Sequence, residues 1–237
     1  MAKPYSFSFS YSRWSLWKKC PLAYKYQNVD KIDTGPPSPA LQEGRKVHDD
    51  ARDYLIGKMP DMPKRMAKHY SKLAGEIAWM RREMKKGIVR VEDQLAYDRD
   101  WRPVSWFSPN TYARFIWDAC LVDDADKDKV TEAHAVDWKT GKPYGSYEDQ
   151  MQIFSIPAFL EYPNLQVFKG YLLYLDTGED QDFTITQDQF MTQVWPTWTS
   201  NIAMMEADVS YPAKPSHDAC KFCDFGKRKL NICAHGV

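Results

Sequence analysis

The chain has 237 residues, of which 43% are hydrophobic and 14% aromatic. That is enough to bury the core of one domain, or of one domain with an appendage, and it excludes global disorder. The 32 basic and 32 acidic residues cancel, which excludes a histone-like polycation but not a local basic patch.

The opening stretch Met1–Ser10 lacks a signal-peptide pattern. No apolar run approaches the roughly 20 residues that span a bilayer, so secretion and a membrane span are not expected. The first predicted helix runs from about Ser12, as N-cap, to Tyr26, with Trp14, Trp17, Leu22 and Tyr24 among its apolar positions and Pro21 dividing it. Asp33–Pro39 holds Gly35, Pro36, Pro37 and Pro39, a break. Ser38-Pro39 then caps and opens a second helix carrying Leu41, Val47, Ala51, Tyr54 and Leu55. A third, basic helix is expected over about Lys64–Lys86. Beyond Gly87 the period changes to that of strands, at Ile88–Tyr97, Tyr112–Val122 and Val130–Trp138, with a polar loop Asp123–Asp128 joining the last two. Asp124, Asp126 and Asp128 alternate as in an EF-hand, but Lys129 and Ala135 stand where that loop needs Gly and Glu. A helix follows at about Tyr147–Leu160, then strands Val167–Asp176 and Asp182–Ile185 and a long helix Gln187–Ala207. The order predicts an α/β or α+β domain built on a mixed sheet.

The most informative run is Val136-Asp137-Trp138-Lys139-Thr140-Gly141. Residues i and i+2 of a strand share a face, so Asp137 and Lys139 are expected to project together. A carboxylate and an ammonium so placed suit metal-assisted phosphoester hydrolysis, the acid holding a hard cation and the amine steadying the developing charge. Asp118, on the preceding strand, is expected to reach Asp137 across the hairpin and share the ion, Mg²⁺ or Mn²⁺. Cys120, two residues on, is expected on the face of Asp118 as an ordinary core residue. His48, four residues after Gly44 on one helix face, is a third candidate, and Glu92 an outer one.

These residues, taken together, resemble the PD-(D/E)XK nuclease superfamily and within it the RecB-like branch, which includes CRISPR-associated RecB-like nucleases, AddB-type nuclease domains and phage exonucleases. The resemblance rests on a Ser-rich stretch leading to Cys20-Pro21, Gly44-x-x-x-His48, Asp118, Asp137-x-Lys139, and Gln150 with Phe154 where the family carries tyrosine. It implies a restriction-endonuclease-like sheet flanked by helices. It also implies ligation of the metal by His48, Asp118, Asp137 and the Trp138 backbone carbonyl, with Lys139 acting on the attacking water and Gln150 placing the strand. The implied activity is a metal-dependent DNA exonuclease of phage or CRISPR-type recombination, replication or processing. It would act on single-stranded or end-bearing duplex DNA in the cytoplasm, that of the host if phage-encoded. A recombination or replication protein partner and a homo-oligomer both remain open. A catalytically silent nucleic-acid-binding module with a structural metal site is the alternative.

Cysteines number five, an odd count for a disulfide framework. Cys220-x-x-Cys223 and Cys233 lie in a tail, 211–237, distinct from a domain over 1–210. With Cys20 they match the one-plus-three layout that holds a [4Fe–4S] cluster in part of the family. Zinc on Cys220, Cys223, Cys233 and His235 is the alternative. Lys68, Lys72, Arg81, Arg82 and Lys85, interleaved with Tyr70 and Trp79, are the candidate nucleic-acid contacts. Trp101, Trp106 and Phe107 read equally as a wedge against single strands or as packing.

Overall fold

The computed structural model describes residues 7–64, 66, 72–142 and 147–235, with the backbone alone described at 72–74 and 76. Its strands are Val89–Tyr97 (β1), Pro103–Val104 (β2), Ala113–Val122 (β3), Glu132–Lys139 (β4), Val167–Tyr174 (β5) and Glu179–Thr186 (β6). They form one mixed sheet, ordered β2-β1-β3-β4-β5-β6. β1, β3 and β4 pair as an antiparallel meander, β4 and β5 are parallel, and β6 returns antiparallel. A parallel neighbour needs a crossover, which the helix Glu148–Glu161 supplies.

The helices are Tyr11–Lys19 (α1), Pro21–Tyr24 (α2), Pro39–Leu55 (α3), Lys72–Glu83 (α4), Glu148–Glu161 (α5), Gln187–Gln189 (α6), Trp195–Ala207 (α7) and His217–Cys220 (α8). π-helical turns at Lys25–Val29 and Phe190–Val194 extend α2 and join α6 to α7. Ser38 and Pro39 open α3 as expected, the Ser38 hydroxyl accepting from the Leu41 amide. The cap of α1 is Ser10, not Ser12. Phe9 is bridged to Ala113, so the extended segment ends one residue later and the helix begins there. The strand expected at Asp182–Ile185 spans eight residues, because β6 pairs with β5 along its whole length.

Helices cover both faces of the sheet. Phe9, Trp14, Met151, Phe154, Phe168 and Trp198 belong to the core layer under α1, α5 and α7. Val47, Ala51, Leu55, Ile77, Met80 and Trp138 belong to the layer under α3 and α4. β3 changes layer midway: Phe115 and Trp117 enter the first and Ala119 and Leu121 the second, although all four are odd-numbered. β1 does the same, sending Val89 to the second layer and Leu95 and Tyr97 to the first. The pleat therefore shifts phase near residues 92 and 118. Among the described residues no helix is long and apolar enough to cross a membrane.

The tail docks on the segment after α1, with Tyr26 against Phe225 at 5.3 Å and Tyr24 against Tyr211 at 6.2 Å between ring centroids. The Phe225 carbonyl accepts from the amides of Ile232 and Cys233, which turns Cys233 back toward Cys223.

α5 lies close on β5. A Cβ added at Gly170 would stand 2.6 Å from Met151 Sδ, and Met151 is fully buried. Gly170→Ala is expected to lower the unfolding free energy by about 1–3 kcal/mol in urea titrations. Most of that loss should vanish in a Met151→Ala background; a loss of the same size in both backgrounds would disprove the contact.

Candidate active site

The site lies where the β3–β4 ladder ends. Pairing runs from Val122 with Ala133 to Ala119 with Val136 and goes no further, while β4 stays paired to β5 as far as Lys139 with Tyr174. The Trp138 amide, now without a β3 carbonyl, donates to Asp118 Oδ2 at 2.8 Å. A buried N–H needs such a partner, and a carboxylate provides it while keeping its other oxygen free for further contacts. The same Oδ2 lies 3.1 Å from His48 Nδ1, on the turn of α3 that faces the sheet.

Asp137 and Lys139 project toward α5. Lys139 Nζ is 2.6 Å from Asp137 Oδ2 and donates at 2.9 Å to Gln150 Oε1. Gln150 Nε2 in turn donates to Asp137 Oδ1 at 2.6 Å. The ammonium also sits 4.9 Å from the centroid of the Tyr147 ring. α5 is fixed by three indole N–H donors around Gln150: Trp14 to Asp149, Trp198 to Gln152 and Trp117 to the Phe154 carbonyl. Buried indoles seek acceptors, and these three come from α1, α7 and β3, so three separate elements of one layer fix the helix that carries Gln150. Phe154 is buried beside it. Lys139 is held by Asp137, Gln150 and the Tyr147 ring.

Glu92 holds a left-handed backbone, φ +50°, which costs a non-glycine residue about 1–3 kcal/mol. It occupies the rung of β1 opposite Asp118, where the ladder skips from Val91–Ala119 to Asp93–Trp117. Ligand atoms of Glu92, Asp118 and His48 all lie within 4.8 Å of one another. Sequence reasoning ranked Glu92 as an outer residue because alternation says nothing of a left-handed kink. Asp137 stands beside this group, within reach of the Asp118 charge. Cys120 is a buried core residue, as expected, but not on the face of Asp118: it packs in the layer under α5, whereas Asp118 reaches α3, because the pleat phase shifts between them. Gly44 lies near Thr140, but a Cβ there would be in ordinary contact at 3.9 Å, so packing does not demand the glycine.

Electrostatics set this cluster apart from a surface one. Burial, then the charge of Asp118, pushes Asp137 up to about 6 against the opposing pull of Lys139. Burial, then Asp118, raises Glu92 as well. Burial works against the His48 imidazolium, yet the Asp118 hydrogen bond and charge, with Asp137 and Glu92 beyond, hold it above its ordinary range. Tyr11 is pushed up to about 12 by burial, with Tyr147 and Asp137 nearby. Converging acids that resist ionisation fit a divalent cation.

The other candidates lie elsewhere. Cys20, Cys220, Cys223 and Cys233 line one small cavity with His235, and burial, with Cys233 and Cys20 adding, raises Cys223. Arg81 is used in packing, donating to the Pro60 carbonyl at 2.7 Å and lying 4.4 Å from the Tyr54 ring centroid. Arg82 and Lys85 are exposed. Lys68 and Tyr70 lie outside the described residues, as does the side chain of Lys72.

Residues 8–228 match the family model of the PD-(D/E)XK nuclease superfamily. Among solved structures, the crystal structure of SSO0001 is similar with a TM-score of 0.44 and 11% identity, over 94% of this chain and 86% of that one. A search of the curated proteins finds no match.

A raised carboxylate binds its proton more tightly in the folded state, so it takes stability away as pH climbs from the unfolded to the folded pKa. With a chelator present, Asp137→Asn is expected to gain urea resistance over the parent as pH rises from about 4 to about 6. Mn²⁺ is expected to stabilise the parent at about pH 7 and the variant much less. A midpoint difference that stays flat across that window would contradict the burial of this charge.

Proposed function

The chain belongs to the PD-(D/E)XK nuclease superfamily, and on that premise we propose that it is a Mg²⁺- or Mn²⁺-dependent deoxyribonuclease of the RecB-like type that digests DNA from ends. The observation that carries this reading is the closed Asp137–Lys139–Gln150 network beside the His48–Glu92–Asp118 group. A binding-only module has no use for a lysine held so tightly against a buried carboxylate. Residues 1–210 form the nuclease domain in this reading and 211–237 a tail that closes on it. The protein would serve recombination, replication or CRISPR-type processing of DNA in the cytoplasm, alone or with a protein partner.

His48, Asp118, Asp137 and the Trp138 carbonyl would hold the cation, with Glu92 joining them. When bound there it supplies Lewis-acid neutralisation of charge on the scissile phosphate. The chain's own groups do the rest. Asp118, pinned by the Trp138 amide, keeps the ligand group at the split in the sheet. Lys139 offers a fixed positive charge where the attacking water and the developing phosphorane charge must lie, already oriented by Gln150 and Asp137 so that little reorganisation is needed. Gln150 links the amine to the carboxylate and stands at the edge of the cavity along which a strand would lie.

For the tail we favour a [4Fe–4S] cluster on Cys20, Cys220, Cys223 and Cys233. Support comes from the one-plus-three layout of the thiols, since Cys20 and the three tail cysteines line one small cavity.

Cleavage of labelled linear DNA with Mn²⁺ should fall on the order of 10²–10³-fold in Lys139→Ala, and equal cleavage by parent and variant would remove the mechanism. Covalently closed circles should resist digestion; their breakdown would replace end-dependent with internal cleavage. Protein isolated without oxygen should be amber and contain iron and sulfide, both lost in Cys20→Ser. A colourless protein with stoichiometric zinc would decide for the alternative.

A further inference from the structure

A second set of groups stands outside the ligand cluster and has no role in the chemistry above. The Phe9–Ala113 bridge lays the segment before α1 along the start of β3 and brings Ser8 and Arg13 to Arg114. Between them opens a cavity of about 360 Å³, walled also by Trp106 and Gln150. It falls in the range of about 300–1,000 Å³ typical of ligand pockets. Among the described residues no carboxylate lines it.

Both arginines are half-buried, and their hydrogen-bond partners among the described residues are neutral oxygens. Arg13 donates to the Ser8 carbonyl at 2.6 Å; Arg114 donates to Ser8 Oγ at 3.0 Å and to the Trp106 carbonyl at 3.1 Å. Burial and the Arg13 charge hold Arg114 below its ordinary range, and burial and Arg13 do the same to Lys31. Two arginines thus line one cavity without a counter-ion among the described residues, an arrangement that favours an incoming anion. Aromatic surface adjoins it. The Arg114 guanidinium lies 5.5 Å from the Trp106 ring centroid, and Phe107, next in the same loop, is 87% exposed.

Gln150 connects the cavity to the chemistry, since the side chain that borders it also bonds Asp137 and Lys139. Resting on the nuclease reading, we propose that this cavity is a subsite for a second, non-reacting phosphate of the DNA strand, clamped by Arg13 and Arg114, with Trp106 and Phe107 as the stacking surface for the adjoining base. The phosphate is either a terminal monoester or an internal diester. In both cases it sets how far the strand advances past Gln150 and so which bond meets Lys139. Its geometry favours an unpaired strand, whose bases are free to stack.

The test is binding without turnover. Anisotropy of 3′-labelled single-stranded oligonucleotides, with and without a 5′-phosphate and with Ca²⁺ replacing the activating metal, is measured across a salt series. Arg13→Gln and Arg114→Gln should each weaken binding roughly tenfold to a hundredfold. Each should also flatten the slope of log K against log salt by about 0.7. Arg114→Lys should keep the slope, and thermal melts of all variants establish that they fold. If Arg114→Gln does not, Arg13→Gln carries the measurement, because the only described hydrogen bond of its side chain is to one carbonyl. A loss confined to the 5′-phosphorylated strand identifies a terminal monoester, whereas an equal loss on both strands identifies a diester. Unchanged affinity and slope in both glutamine variants overturns the subsite. Cleavage by a parent whose variants bind normally removes the subsite alone. Variant-dependent binding by a parent that cannot cleave DNA removes the nuclease reading and leaves the phosphate site standing.

Discussion

The hydrogen bond from the Trp138 amide to Asp118 is the point on which sheet and site both depend. If β3 and β4 stayed paired one rung further, the amide would be used in the ladder and Asp118 would be a strand residue facing a neighbour. Because they part, the carboxylate takes over a backbone obligation and is fixed by it. β4 remains anchored by β5, so its last residues stay straight enough to hold Asp137 and Lys139 side by side. A gap opens in the sheet without loosening the strand that borders it.

Charge is sorted around this gap. Three acids and an imidazole gather at its mouth, and Lys139 is the one described cation that pairs with Asp137 there. Arg13 and Arg114 line the neighbouring wall. A zero net charge therefore conceals two poles separated by Gln150. A polyanionic strand bound along them would neutralise one pole directly and would need a divalent cation at the other, so substrate and ion would reinforce each other's occupancy.

Much of this could be read from the residues. Strand alternation and the i, i+2 rule placed Asp137 with Lys139, and the polar loop Asp123–Asp128 announced the hairpin that brings β3 to β4. His48 and Gln150 could be named as members of the site only through the family resemblance, since neither helix by itself says what its polar residue faces. The caps at Ser38 and Pro39 were legible because they act locally. What could not be read depends on departures from regularity. Glu92 is re-aimed by a left-handed residue that no propensity would place in a strand. The phase shift in β1 and β3 sends odd-numbered residues of one strand to two different layers, so Cys120 parts company with Asp118. Ser10 replaces Ser12 as the cap because of a single long-range bridge to Ala113. The grip of Trp14, Trp117 and Trp198 on α5 joins residues far apart in the chain, and Tyr147 reaches Lys139 only once α5 is in place.

The crowding of Asp118, Asp137 and Glu92 has a consequence beyond chemistry. Burial and the Asp118 charge raise Asp137 and Glu92, so their ionisation opposes the fold at neutral pH, and a cation bound there would remove that opposition by mass action. Locally opened forms of the metal-starved protein are then more populated, and it is such forms that proteases cut. Cation supply would thus govern how long each copy survives as well as whether it works, and idle copies would be the first to be cleared.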